Sequence, residues 1–300
     1  MQRSHTADAR KLFKENKFVF MPSAYDAIGG RLIEQTGFKA AYVGGFVTGG
    51  SRCCSEPQLS LHEQVQVAGD VAKAIKIPTF ADGGAGFGEP LHAMRCVREF
   101  IYAGIAGIHI EDQLYPKRAH YHKYVAHAIS REEFRDKINY VCRARIEVDP
   151  DFIVIARTDT CRFEGLEEAI SRINMAADVG ADMGLLFPRN EEEMKLAPRQ
   201  AKIPLVYVMS TGNRDGRPLP TQKQLEEMGY VAAIDATAGL LASFAATRRV
   251  YKDLFETGKV SFMSTEECIE ARQAVEDLIG LEDYYVIEEE TVEKKKWGKR

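Results

Sequence analysis

Asp82, in PTFADGG, and Glu111, in AGIHIED, each follow a short apolar run, the usual place for a side chain at the end of a buried strand. Read as equivalent positions on neighbouring strands, the two carboxylates would repel each other unless a proton or cation lies between them. A hard divalent ion, Mg²⁺ or Mn²⁺, resolves that repulsion while keeping part of its water. Arg157, in VIARTD, carries a planar fork that matches a substrate carboxylate or phosphonate. Asp26, Gly44, Gly45, Arg189 and Ser210 extend the set of polar or flexible residues that close apolar runs. The structural alternative is an ion-pair network at the same strand ends.

The segment after Glu111 reads EDQLYPKRAHYHK and concentrates Lys117, Arg118, His120, Tyr121 and His122. An HxH pair can bind a metal from one face of an extended segment. Here it lies some ten residues beyond the strand end, among lysines and arginines that repel a cation. A lid carrying proton donors and anion contacts is the better functional reading; a solvated basic loop is the other.

These residues need a scaffold. Apolar runs without alternation recur at FVFMPS, AAYVGG, PTFADGG, AGIHIED, FIVIARTD, ADMGLLFP, IPLVYVMS and YVAAIDA, as expected of strands buried on both faces. Helical periods separate them, several ending at glycine, and Ser130 to Glu133 reads as a capping box. Eight strand–helix units predict a (β/α)8 barrel, a TIM-type α/β fold, with a doubly wound open sheet as the competitor. In such a barrel the strand C-terminal ends carry the chemistry. DGGAGFG fits neither GxGxxG nor a P-loop, so it reads as a turn that lets backbone approach a ligand.

No linker divides the 300 residues, so one domain is expected, with a helical extension over about 239–285 and a charged tail over 286–300. The chain is 45% apolar and 28% charged with a net charge of −4, an ordinary globular balance without the basic excess of a nucleic-acid or membrane-surface binder. No run approaches the ~20 apolar residues of a membrane span. The six cysteines show no CxxC and read as reduced thiols, so a cytoplasmic protein is expected.

The ordered set PSAYDA, AAYVGG, PTFADGGAGFG, AGIHIEDQLYPKR, VIARTDT and EGLEEAISR resembles the isocitrate lyase/phosphoenolpyruvate mutase superfamily, closest to its methylisocitrate lyase, dimethylmalate lyase and phosphonopyruvate-processing branch. The resemblance implies a barrel with Mg²⁺ on Asp82 and, through water, Glu111. It implies small carboxylate substrates held by Arg157 and by backbone NH groups of segment 42–45, with Asp26 and Tyr42 matching family elements. It further implies a homotetramer, a dimer of dimers that exchange a C-terminal helix.

Departures from the pattern limit what carries over. The lyases keep a proton-handling cysteine where this chain has Ala119, and their following histidine falls at Tyr121. The family's second acidic metal-site residue falls at Gly84, its FPE glutamate at Arg189, and a strand-seven asparagine near Val208. The expected activity is Mg²⁺-dependent C–C cleavage (lyase or hydrolase) of a 2-hydroxy or 2-oxo di- or tricarboxylate through an enolate-like species. In it His120, Tyr121 or His122 replaces the cysteine, and Lys117 and Arg118 orient carboxylates. P–C mutase or hydrolase chemistry is the alternative, and a catalytically silent barrel the third reading.

Overall fold

The computed structural model describes residues 5–119 and 123–293. Helix α1 (His5–Glu15) leads into strand β1 (Val19–Pro22), followed by α2 (Ala27–Thr36), β2 (Ala41–Val43), α3 (Gly45–Ser51), α4 (Leu61–Ala74) and β3 (Thr79–Asp82). Then come α5 (Pro90–Tyr102), β4 (Gly107–Glu111), α6 (Arg131–Val148), β5 (Ile153–Thr158), α7 (Leu166–Asp178) and β6 (Met183–Leu186). The cycle ends with α8 (Glu191–Gln200), β7 (Leu205–Met209), α9 (Gln222–Met228) and β8 (Ala232–Asp235).

All ladder pairings are parallel, in the order β1-β8-β7-β6-β5-β4-β3-β2, and a parallel bridge from Ser23 to Tyr42 joins the two end strands. The expected (β/α)8 barrel is therefore the fold. Its strands lack polar alternation because each is covered on both faces. Val19, Met21, Phe80, Ile153, Ile155, Leu185, Val206 and Ile234 belong to an inner core. Val43, Ala81, Ile108, Val154 and Tyr207 belong to a second core with residues of the surrounding helices.

Local signals punctuate the chain. Capping boxes at Ser60/Glu63, Ser130/Glu133 and Thr221/Gln224 satisfy first-turn amides of α4, α6 and α9. Gly37 and Gly229 end α2 and α9 with φ of 99° and 97°, a conformation that favours glycine. At the lower end, α1 sets Phe13 edge-on to Phe80, with ring centroids 5.9 Å apart. There Arg10 reaches Asp182 at 2.6 Å.

The chain separates into two compact units, residues 1–241 and 242–300. The division falls inside the continuous helix α10 (Ala238–Thr257), so no linker composition marks it. The second unit continues with α11 (Thr265–Ile279) and α12 (Leu281–Glu288), and the start of the expected charged tail is thus helical. None of the residues in α10, α11 and α12 is buried. Among the described residues no helix is long and apolar enough to cross a membrane.

Candidate active site

Four strand ends and one short turn build the upper mouth of the barrel. Asp82 closes β3, Glu111 closes β4, Arg157 lies near the end of β5 with Asp159 just beyond it, and Phe187 follows β6. The ladder corrects one expectation. Asp82 pairs with His109, whereas Glu111 pairs with Arg157, so the two carboxylates stand two residues out of step. Barrel closure requires such stagger, and because the offset is even both side chains still point inward.

The turn over Glu56–Gln58 brings a third carboxylate that strand-end reasoning missed. Lys117 lies between Glu56 and Glu111, in contact with the first and 2.7 Å from Oε1 of the second. Arg157 sets Nη1 3.0 Å from Glu111 Oε2 and 3.9 Å from Asp82 Oδ2, while its Nε donates to Asp159 Oδ1 at 3.0 Å. Four carboxylates (Glu56, Asp82, Glu111 and Asp159) thus share two cations, Lys117 and Arg157. Among the described residues carboxylates thus outnumber cations in this cluster, a setting that suits a divalent ion.

The titration directions record that imbalance. Burial first, and then the Glu56 charge, raises the Asp82 carboxyl. Burial also raises Glu111, against the pull of Arg157 and Lys117. Asp159 goes the other way: Arg157 overcomes its burial and holds it ionised. Lys117 and Arg157 are raised although burial opposes their charge, because Glu111 lies against the first and Asp159 and Glu111 against the second. Among the described residues neither buried Glu111 oxygen has a hydrogen-bond donor, since the contacts from Lys117 and Arg157 lack that geometry.

Backbone fixes Asp82. Gly84 N donates to Oδ1 at 2.7 Å and Gly45 N to Oδ2 at 3.2 Å. A Cβ on Gly45 would fall 2.6 Å from Glu56 Cγ, so only glycine admits that carboxylate here. A cavity of about 20 Å³ adjoins Gly45, Glu56, Asp82, Gly84, Tyr115 and Lys117. That is room for a water or an ion. Among the described residues no three His, Cys, Asp or Glu converge as a ready ligand set. The donors therefore fit an ion that keeps most of its water and takes one or two carboxylates, the habit of Mg²⁺.

Beneath the mouth, Tyr42 on β2 sets its hydroxyl 2.6 Å from His109 Nε2, with the rings stacked at 5.7 Å. His109 Nδ1 lies 3.5 Å from Asp82 Oδ1. Burial, reinforced by Arg157, lowers the imidazole well below its usual range, and burial with the Asp82 charge raises the phenol. Both are neutral at neutral pH. Asp112 holds the end of β5 from behind: its Oδ2 accepts from Thr158 Oγ1 at 2.5 Å and its Oδ1 from Asp159 N at 3.1 Å. Lys137 on α6 donates to Ala85 O at 2.9 Å and anchors the glycine-rich turn.

The remaining sequence candidates are placed as follows. Gly44 is the N-cap of α3 and Ser210 follows β7 at intermediate burial. Asp26 caps α2, accepting from Gly29 N at 2.7 Å, and lines a surface groove with Tyr25 and Lys73. Arg189 turns to Glu193, its Nε donating to Oε1 at 2.8 Å. Lys117 enters the carboxylate cluster, whereas Arg118 borders a small cavity with Gln113 and His127. His120, Tyr121 and His122 lie outside the described residues. The described ends of their loop are drawn together, Leu114 N donating to His127 O at 2.7 Å and Ile129 N to Asp112 O at 2.8 Å.

Glu56, His109 and Lys137 had no sequence signal of their own. Glu56 sits in a turn, His109 inside an apolar strand run, and Lys137 on a helix face that reads as amphipathic.

The sequence model of phosphoenolpyruvate phosphomutase matches residues 9–255. The chain is 33% identical over 290 residues to a chloroplastic carboxyvinyl-carboxyphosphonate phosphorylmutase of Arabidopsis thaliana, covering 93% of this chain and 82% of that one. It is 35% identical over 245 residues to a 2,3-dimethylmalate lyase of Eubacterium barkeri, covering 80% and 82%. A solved oxaloacetate acetylhydrolase, bound to 3,3-difluorooxalacetate, superposes with a TM-score of 0.84 at 29% identity, covering 95% of this chain and 96% of that one.

Proposed function

The chain belongs to the phosphoenolpyruvate mutase/isocitrate lyase superfamily of lyases, hydrolases and mutases, and from that premise we propose that it cleaves a C–C bond in a small 2-hydroxy or 2-oxo di- or tricarboxylate, with Mg²⁺ as cofactor. The observation that supports this reading is the crowding of Glu56, Asp82 and Glu111 at the barrel mouth, with Glu56 and Asp82 lining an ion-sized cavity. Asp82 and Glu111 would hold the ion, with Glu56 in reach of its water shell. Bound there, Mg²⁺ supplies positive charge opposite a substrate oxygen that becomes negative.

The chain's own residues do the rest. Arg157, held through Nε and Nη2 by Asp159, would present its Nη1 side to a substrate carboxylate. Tyr42 stays protonated and can donate toward developing negative charge, positioned by neutral His109. Ala119 cannot carry a proton, so that step falls to His120, the nearest titratable side chain in sequence, with Tyr121 and His122 the alternatives.

A second reading, P–C chemistry on a phosphonate, is favoured by Ala119 and by the likeness to the Arabidopsis phosphorylmutase. For assembly we adopt the superfamily's homotetramer of helix-swapped dimers. Phe244 at 61%, Tyr251 at 67% and Phe255 at 93% exposure in the second unit support an apolar partner surface. A cytoplasmic setting suits six cysteines that are all unbridged.

The test is thermal melting with Mg²⁺ and oxalate, a planar mimic of a 2-oxo acid enolate. We expect the two together to raise Tm; no shift would sink both enzyme readings. A Mg²⁺-supported activity panel then separates them: methylisocitrate, dimethylmalate, citramalate, oxaloacetate and phosphonopyruvate, followed for pyruvate and phosphate release. His120→Ala should abolish turnover while oxalate still binds.

A further inference from the structure

The β7–α9 loop places a second guanidinium at the barrel mouth. Arg217 stacks over the Phe187 ring with its guanidinium carbon 4.7 Å from the centroid, and Arg157 stacks on the same ring at 4.9 Å. Phe187 is 7% exposed and follows β6, so both cations share one buried aromatic platform. Asp215 positions Arg217 from behind: its Oδ2 accepts from Arg217 Nε at 2.8 Å and its Oδ1 from the Arg217 amide at 3.3 Å. The same Oδ2 also accepts from Arg162 Nη2 at 2.9 Å, so the carboxylate is braced from β5's own loop.

The Arg217 side chain is only 8% exposed. Its Nε is used by Asp215, yet among the described residues its two terminal nitrogens have no hydrogen-bond acceptor. A guanidinium so far removed from water, stacked and braced but with its fork open, is arranged to receive an anion. Arg189, the extra cation the sequence puts forward, is engaged by Glu193 instead.

We infer that Arg217 is the specificity-determining residue that binds the distal anionic group of the substrate, while Arg157 takes the group next to the reacting carbon. This rests on the proposed function and sharpens its substrate class. Substrates carry two anionic ends separated by a short carbon chain, and a lone 2-oxo monocarboxylate is a poor ligand. Phe187 couples the two positions, because both guanidiniums rest on the same ring.

Binding of two probes to the full chain with Mg²⁺, measured by calorimetry, tests the assignment. Oxalate reaches only the inner position; malate, a four-carbon dicarboxylate, spans both. Arg217→Met keeps apolar contact with Phe187 and removes the fork. We expect it to weaken malate about 10- to 100-fold, the range of a lost charge-assisted contact, and to leave oxalate within about twofold. Arg217→Lys should recover part of the malate affinity. Equal loss of both probes would make Arg217 a structural support and overturn the inference, and so would malate binding that ignores the substitution. If oxalate fails to bind the unaltered protein, the proposed function falls first and this inference with it.

Discussion

At the lower end of the barrel one carboxylate, Asp182, meets two guanidiniums, Arg10 and Arg145, each at 2.6 Å, and accepts from the Val154 amide at 2.8 Å. At the upper end four carboxylates share Lys117 and Arg157, and among the described residues neither oxygen of Glu111 has a donor. Both ends bury charge. Below, two guanidiniums and a backbone amide converge on one carboxylate, and the cluster ties α1, α6 and the start of β6 together. Above, carboxylates outnumber cations among the described residues, a setting that suits a divalent ion. A carboxylate held between two guanidiniums ties elements together; an acid-rich cluster at the strand ends is suited to a cation.

The contrast can be broken from either side. Asp82→Asn should lower kcat/KM by about a thousandfold, on the scale of losing a principal electrostatic contact in a catalytic site. The same substitution should leave Tm in chelator unchanged or raised, because it removes one of the surplus charges. If it destabilises the protein, the upper cluster is structural after all. Asp182→Ala should do the reverse. Leaving Arg10 and Arg145 facing each other should cost about 3 kcal/mol in urea unfolding, with kcat of the folded protein little changed.

The pH response of stability in chelator sharpens the comparison further. Burial raises the Asp112 carboxyl to about 7. In the unfolded chain it ionises near pH 4. Between those values the folded chain binds more protons, so this group makes stability fall as pH rises from about 4 to about 7. Raised Asp82 and Glu111 act in the same sense. Asp112→Asn should flatten the slope, and Mg²⁺ should reduce it by stabilising the ionised forms. Smallest of all, Arg189→Ala should change kcat/KM by no more than about twofold, because its guanidinium already serves Glu193. A larger loss would return Arg189 to the pocket.

Strands were legible because burial on both faces leaves unbroken apolar runs, and Asp82, Glu111 and Arg157 were legible because each closes such a run. Their relative heights were not. The two-residue offset between Asp82 and Glu111 is set by barrel shear, a property of the closed sheet and of no single segment. Glu56 escaped notice because a turn delivers it. Arg217 escaped because its site is made by Phe187, thirty residues earlier in the chain, and stacking leaves no periodic trace. The division at residue 241 lies within α10, where helical sequence continues without a break.

The antiparallel bridge between Gln113 and Ala128 has a practical consequence. It clamps the two stems of the 114–127 excursion side by side at the rim of β4, so the span between them is a cassette. With the stems already joined, doubling the insert's length costs only about 0.6 kcal/mol in closure entropy. Segments from related enzymes can be exchanged there without re-registering the barrel, provided Lys117 is kept for Glu56 and Glu111. The reaction could then be re-specified by transplanting one loop onto an unchanged frame.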